Sequence, residues 1–379
     1  MFDSALPLWA ERGVDRAHGG FLEELTAEGD PGPATLKRVR VIARHIYVFS
    51  HAQLLGWNRG ADLAAMGVEY LRHHARTPGG GWARLLTREG DIVDATSDLY
   101  DIAFILHGLA WRVRSSADEQ ALRLLDETMS FVETQLKAPH GYWHWLPPTG
   151  PRLQNPHMHL LEACLACFDA TEDDRYLRTA EQIGAMFYDV FFDARTLGET
   201  FGDDWERLPN QTVEPGHQFE WAWLLNALAA RGGTADPLPA MRQLIAFGER
   251  HGVNSNGFVY DAVDASGRIL QATSRTWPNT ERLKAHLALF EHTGAEFNGA
   301  IEQSTRLLLD RYLVTKPRGL WIDRFDEGGA PAASIVPAST FYHVFLAFAE
   351  LLRLEPRLEA RSFHGGDKRL QPNQREQHR

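Results

Sequence analysis

Six times along this 379-residue chain a glycine opens a short segment of alternating aromatic and polar residues, set between helix-like stretches. The glycines are Gly20, Gly81, Gly141, Gly198, Gly257 and Gly319, spaced by 61, 60, 57, 59 and 62 residues. Strong copies read Gly81-Trp82-Ala83-Arg84 and Gly319-Leu320-Trp321-Ile322-Asp323, and Gly198-Glu199-Thr200-Phe201 is the weakest. Turn signals such as Glu28-Gly29-Asp30, Glu89-Gly90-Asp91 and Gly328-Gly329 follow most of them, so each unit reads as a β-hairpin between two helices. If six units close into a ring, residues at one phase of the repeat converge on one mouth.

Apolar residues recur with helical period in about twelve stretches, near 2–12, 37–57, 60–76, 96–114, 118–137, 156–171, 173–192, 215–231, 236–252, 278–293, 295–314 and 337–355. That is two helices per hairpin. Pro156, Pro215, Pro278 and Pro337 mark helix starts, where a missing N–H costs least. The stretches after these prolines are rich in alanine, leucine and aromatics, whereas 118–137 and 173–192 carry more charge. The first kind is assigned to an inner ring and the second to a half-solvated outer ring. The expected fold is an all-α (α/α)6 barrel over residues 1–360, with hairpins at one end and a polar, disordered tail over 361–379.

A net charge of −11 argues against nucleic acid or an anionic membrane as partner. The start Met1-Phe2-Asp3-Ser4 lacks signal-peptide features and no run of 18 apolar residues occurs, so a cytoplasmic protein is expected. Cys164 and Cys167 fall inside a helical pattern and read as small core residues.

A cluster of polar and aromatic residues stands at one phase of the repeat: Arg44, Tyr100, Asn155 with His159, His217 with Glu220, Trp277 with Glu281, and His343. A single buried histidine is ordinary structure; recurrence at one phase points to function. His159-x-x-Glu162 and His217-x-x-Glu220 put imidazole and carboxylate on one helix face, yet the order reverses that of di-iron bundles and no His-Glu-x-x-His occurs. No metal is expected, and Glu220 is read as orienting His217 or holding a ligand hydroxyl. Eleven tryptophans, with Trp82, Trp143, Trp145, Trp221, Trp223, Trp277 and Trp321 near the inferred mouth, suit a sugar site, although Trp82 and Trp321 serve equally well as plugs. No phosphate-cradling glycine loop or Gly-x-Ser-x-Gly elbow is present.

These motifs, above all Arg44-His45-Ile46-Tyr47, Asn155-Pro156-His157-Met158-His159, Glu214-Pro215-Gly216-His217-Gln218-Phe219-Glu220-Trp221, Trp277-Pro278-Asn279-Thr280-Glu281 and Phe341-Tyr342-His343, together resemble the N-acylglucosamine 2-epimerase family from about residue 10 to 355. The resemblance implies an (α/α)6 barrel and cofactor-free proton transfer at C2 of a reducing sugar. It implies acid/base roles for His217 and His343, an active-site arginine in Arg44, and a third histidine in His159. Tyr100, Asn155, Glu220, Trp277 and Glu281 match the sugar-contacting positions. The pattern is closer to the bacterial mannose isomerase branch, so mannose–fructose isomerisation is expected, with 2-epimerisation of N-acetylglucosamine or of glucose and mannose as the alternative. An (α/α)6 glycoside hydrolase, with Asp98 and Glu281 as its carboxylates, and a sugar-binding scaffold are the readings from other classes. The expected partner is a monosaccharide, and a homodimer is a prior from soluble enzymes in general.

Overall fold

In α8 twelve of fifteen residues are buried, but in α9, which packs on it, only five of fourteen are. That contrast separates an inner from an outer ring throughout the computed structural model, which describes residues 1–209, 211–233, 235–294 and 299–366. The helices are α1 (Ala5–Arg12), α2 (Val39–Leu54), α3 (Gly60–His74), α4 (Leu99–Ser116), α5 (Glu119–Phe131), α6 (Gln154–Thr171), α7 (Asp174–Met186), α8 (Pro215–Ala229), α9 (Leu238–His251), α10 (Thr276–Thr293), α11 (Ala300–Leu307) and α12 (Phe341–Gly366). Each of the twelve periodic stretches becomes one of them. The even-numbered helices pack side by side as the inner ring and the others lie outside, giving the (α/α)6 barrel. Among the described residues no helix is long and apolar enough to cross a membrane.

The outer helices are cut from amphipathic sequence, and α5 and α7 begin on acidic caps. The Asp118 carboxylate accepts from the backbone of Gln120 and Ala121 at 3.0 Å, and Asp173 accepts from Arg175 at 2.9 Å, satisfying N–H groups a helix start leaves unpaired. Of the four prolines only Pro215 is a first helical residue. Pro156 and Pro278 are third in α6 and α10, still within the turn that lacks intrahelical acceptors, and Pro337 ends a strand.

The strands differ from the expected set of hairpins. Six antiparallel ladders stitch each repeat to the next: Leu36–Arg38 with Leu85–Thr87, Ser97–Asp98 with Trp145–Leu146, Arg152–Leu153 with Thr200–Phe201, Thr212–Val213 with Ala262–Asp264, Ser274–Arg275 with Arg324–Phe325, and Ile335–Pro337 with Glu24–Thr26. Among the described residues, hairpin ladders within a repeat form in two units. Strands of two or three residues carry too few hydrogen bonds to stand alone, so pairing across units fixes one helix pair against the next.

The last ladder and a stack of aromatics close the ring. The Trp9 indole lies 5.0 Å from that of Trp321 and 5.4 Å from the Phe341 ring, and its Nε1 donates to the Gly319 carbonyl at 3.2 Å. Gly319 has φ +105°, and a Cβ there would come within 2.7 Å of the Ser4 backbone, so the closure requires glycine. Trp82 and Trp321 are buried plugs, Trp82 donating to Thr128 Oγ1 at 3.0 Å. Cys164 and Cys167 are free and buried in α6, where burial pushes both thiols up. α12 continues to Gly366, past the start expected for the tail, and the rest of that tail, 367–379, lies outside the described residues.

Candidate active site

The repeat delivers its polar residues to one place because each sits at the second, third or sixth position of an inner helix, at the ladder end of the ring. A cavity of about 410 Å³ opens there. Arg44, Tyr100, Asn155, His159, His217, Glu220, Trp277 and His343 all line it, joined by Trp145, Asp98, His144, Glu214 and the arginines Arg38, Arg40 and Arg275. Glu281 does not. It is fully buried behind His343, and a sugar-contacting or glycosidase role for it is corrected to that of a partner carboxylate.

Three imidazoles share one arrangement. His343 Nδ1 lies 2.8 Å from Glu281 Oε1, His159 Nδ1 lies 3.1 Å from Glu162 Oε2, and His217 Nδ1 lies 3.0 and 3.1 Å from the two oxygens of Glu199. A carboxylate at Nδ1 fixes the ring and leaves Nε2 for the cavity. The His217 and His343 rings flank one indole, with centroids 5.3 and 5.5 Å from that of Trp277.

Glu199 was missed in the sequence because it lies in the weakest copy of the repeat. It, and not Glu220, orients His217. Glu199 is itself pinned: Gln154 Nε2 donates to it at 2.8 Å, the Glu214 N–H at 3.2 Å, and Gln211 Oε1 accepts from its backbone N–H at 2.7 Å.

The surroundings push the two flanking histidines in opposite directions. Burial disfavours charge on His217, but Glu199, Glu214 and Glu220 outweigh it and raise the imidazole from 6.5 to about 10. At His343 burial acts together with the positive charges of Arg44 and Lys284, and the imidazole is held well below its ordinary value. Burial also lowers His159 to about 4, against the pull of Glu162. These surroundings favour the charged imidazole at His217 and the neutral one at His343 and His159.

Arg44 is buried, with Nη1 donating to the Ser339 carbonyl at 2.9 Å and Nη2 to the Tyr100 hydroxyl at 2.8 Å. Its Nε, Asn155 Oδ1, His144 Nε2 and both Glu220 oxygens are buried without a protein hydrogen-bond partner, a set suited to the hydroxyls of a polyol. Burial and the charge of Glu281 raise Glu220 well above the usual carboxylate range. Around it, donor atoms of His159 with Glu162 and of Glu281 with His343 lie within 4.8 Å, close enough to hold a cation. Spacing along one helix carries no sign of that convergence, which brings together α6, α8, α10 and α12. Lys284 already supplies a positive charge there, its Nζ 2.7 Å from Glu281 Oε2.

Other expected residues face elsewhere. Two residues along a helix turn about 200°, so Trp221 is buried with its Nε1 on Gln154 Oε1 whereas Trp223 faces a separate cavity at the far end of the barrel. Trp143 lies outside the mouth under the Arg152 guanidinium, 3.6 Å from its ring centroid.

The sequence profile of N-acylglucosamine 2-epimerase (GlcNAc 2-epimerase) matches residues 19–347. The chain belongs to this family. Members similar to it include the "Mannose-6-phosphate isomerase" of Rhizobium meliloti (strain 1021), 36% identical with 92% of this chain and 94% of that one covered, and the "Cellobiose 2-epimerase" of Bacteroides fragilis, 27% identical with 83% and 86% covered. Among solved structures, a D-mannose isomerase superposes with a TM-score of 0.86 at 22% identity, covering 93% of this chain and 96% of the other. At that identity the match establishes the fold, which the family shares with a family 76 mannosidase at a TM-score of 0.67 and 11% identity. The chain is a sugar isomerase or epimerase of the N-acylglucosamine 2-epimerase family.

Proposed function

We propose that the protein interconverts D-mannose and D-fructose by proton transfer at C2 of the ring-opened sugar. The observation that carries the reading is that His217 and His343 flank Trp277 in one cavity, each held at Nδ1 by a carboxylate, in surroundings that shift the two imidazoles in opposite directions. Relatives named D-mannose isomerase, at 24 and 27% identity, support the choice of sugar.

A closed sugar has no carbonyl, so its hemiacetal must first open by moving protons between O5 and O1. His217, charged and anchored on Glu199, donates one of them, and His159 with Glu162 behind it accepts the other. In the open form C2–H lies α to the aldehyde. Neutral His343 Nε2 takes that proton, and Glu281 at Nδ1 stabilises the resulting imidazolium. Negative charge then develops on O1 and O2 of a cis-enediolate, beside the Arg44 guanidinium that Ser339 and Tyr100 hold in place. Losing such a preorganised donor costs about 2.7–4 kcal/mol of barrier. The O2 proton then passes to O1, the proton on His343 exchanges with solvent, and protonation of C1 by His343 yields the ketose.

The arrangement of two histidines about one indole also supports 2-epimerisation, in which His217 protonates C2 from the opposite face. Incubation with mannose, glucose, fructose and N-acetylmannosamine in D2O, followed by NMR, separates the readings. Deuterium at C1 of fructose is expected; deuterium at C2 of an epimer selects epimerisation. No deuterium at carbon in any sugar sinks both.

A further inference from the structure

The cavity at the far end of the barrel plays no part in the reaction above, yet it has a volume of about 770 Å³ and is lined by all six inner helices. That volume falls in the range of about 300–1,000 Å³ common for small-molecule sites. Every inner helix lines both cavities, with its earlier residues at the catalytic end and its later ones here: α4 gives Tyr100 to the first and His107 and Trp111 to the second. The charged groups of the far cavity are already engaged. Arg231 meets both oxygens of Asp169, at 2.7 and 2.6 Å, and Arg114 stands 3.5 Å from the same carboxylate. Arg353 bridges Glu291 and Glu350, 2.9 and 3.1 Å away, and Glu162 takes His159 and the Tyr342 hydroxyl. An ionic ligand therefore finds no free counter-charge among the described residues. What is left over is neutral. His107 is 5% exposed, and neither of its ring nitrogens, nor Trp111 Nε1, has a hydrogen-bond partner among the described residues. Burial holds the His107 imidazole at about 4, so one nitrogen donates and the other accepts. Hydroxyl groups satisfy all three atoms, whereas a purely apolar ligand leaves them unpaired. The Trp223 indole, fixed by its Nε1 on Glu350 at 3.1 Å, adds a flat face suited to C–H surfaces.

We propose that the far cavity is an effector site for a neutral polyhydroxylated molecule, its hydroxyls held by His107 and Trp111 and a C–H face laid on Trp223. Two contacts connect it to the catalytic end. Glu162 lines the far cavity while its Oε2 holds His159 Nδ1 at 3.1 Å. The Trp223 ring lies 4.0 Å from Lys284 Nζ, and Lys284 in turn pairs at 2.7 Å with Glu281, the carboxylate behind His343. A molecule seated on Trp223 and beside Glu162 therefore bears on the partners of two catalytic imidazoles. Binding here requires no turnover, so the site stands apart from the isomerase reading.

The probes are mannitol and myo-inositol, polyols with no carbonyl to react. Equilibrium dialysis of each radiolabelled probe is compared in the wild type, in H107F, which keeps a ring and removes both nitrogens, and in A227W, which fills the far cavity from α8. For at least one probe the wild type is expected to show a bound molecule that A227W loses and that H107F holds about tenfold more weakly, the scale of one or two buried hydrogen bonds. Saturation with that probe is expected to change kcat for the sugar substrate at least twofold in the wild type and to leave it unchanged in A227W. Competition at the catalytic cavity raises KM alone, so kcat reads the far site. No probe bound beyond what A227W retains, equal affinity in wild type and H107F, or a kcat indifferent to saturating probe overturns the proposal. Absence of turnover with every sugar overturns the isomerase reading instead and leaves the binding comparison in force.

Discussion

Replacing His343 with asparagine is expected to lower kcat by about 10² to 10⁴, the range that a positioned general base contributes. Asparagine keeps a side-chain donor for Glu281, which otherwise loses its 2.8 Å contact and stays buried. Sugar affinity is therefore expected to change much less than kcat, because Arg44, Asn155, Glu220 and Trp277 still line the cavity. Steady-state kinetics with a titration of bound sugar reads both quantities, and exchange of C2–H with solvent deuterium is expected to fall in step with kcat. Activity within tenfold of wild type would remove His343 from the base role.

Glu199→Gln is expected to produce the second large effect, through His217. Burial opposes charge on this imidazole, and Glu199 is the strongest opposing influence that brings it to about 10. Without that carboxylate burial is no longer outweighed by it, and the imidazole falls back toward or below 6.5. The alkaline limb of the kcat profile is expected to move down by at least two pH units in E199Q. Stability follows with a definite sign. A folded-state value of about 10 against 6.5 in the unfolded chain gives stabilisation that is fully present below pH 6.5 and is lost as pH rises toward 10. Chemical denaturation between pH 6.5 and 10 should therefore show a slope in the wild type that is flatter in E199Q. Equal slopes and an unmoved alkaline limb would show that Glu199 does not set the charge of His217.

What was legible in the sequence was whatever repeats. The twelve helices announced themselves by apolar periodicity, and eight of nine chosen site residues line one cavity because they share a phase of the repeat. The ninth, Glu281, sits at the sixth position of α10, as Glu220 does in α8, yet it lies behind His343. Phase along a helix gives the direction of a side chain and says nothing of which neighbour covers it. Glu199 escaped notice because its copy of the motif, Gly198-Glu199-Thr200-Phe201, is the least regular. The ladders between repeats were invisible for a different reason: turn residues mark where a chain reverses, whereas the partner of a strand is chosen by tertiary packing. Arg38 and Arg40, which nothing in the repeat singles out, line the same cavity as Arg44.

One cavity is proposed to hold two imidazoles in opposite charge states, one ready to give a proton and the other to take it. Nitrogen-15 NMR of histidine-labelled protein between pH 6 and 9, with H217N and H343N to assign the signals, tests it most directly. At pH 8 both ring nitrogens of His217 are expected to carry protons, and His343 is expected to remain neutral down to pH 6. A neutral His217 at pH 8, or a His343 charged at pH 6, would contradict it.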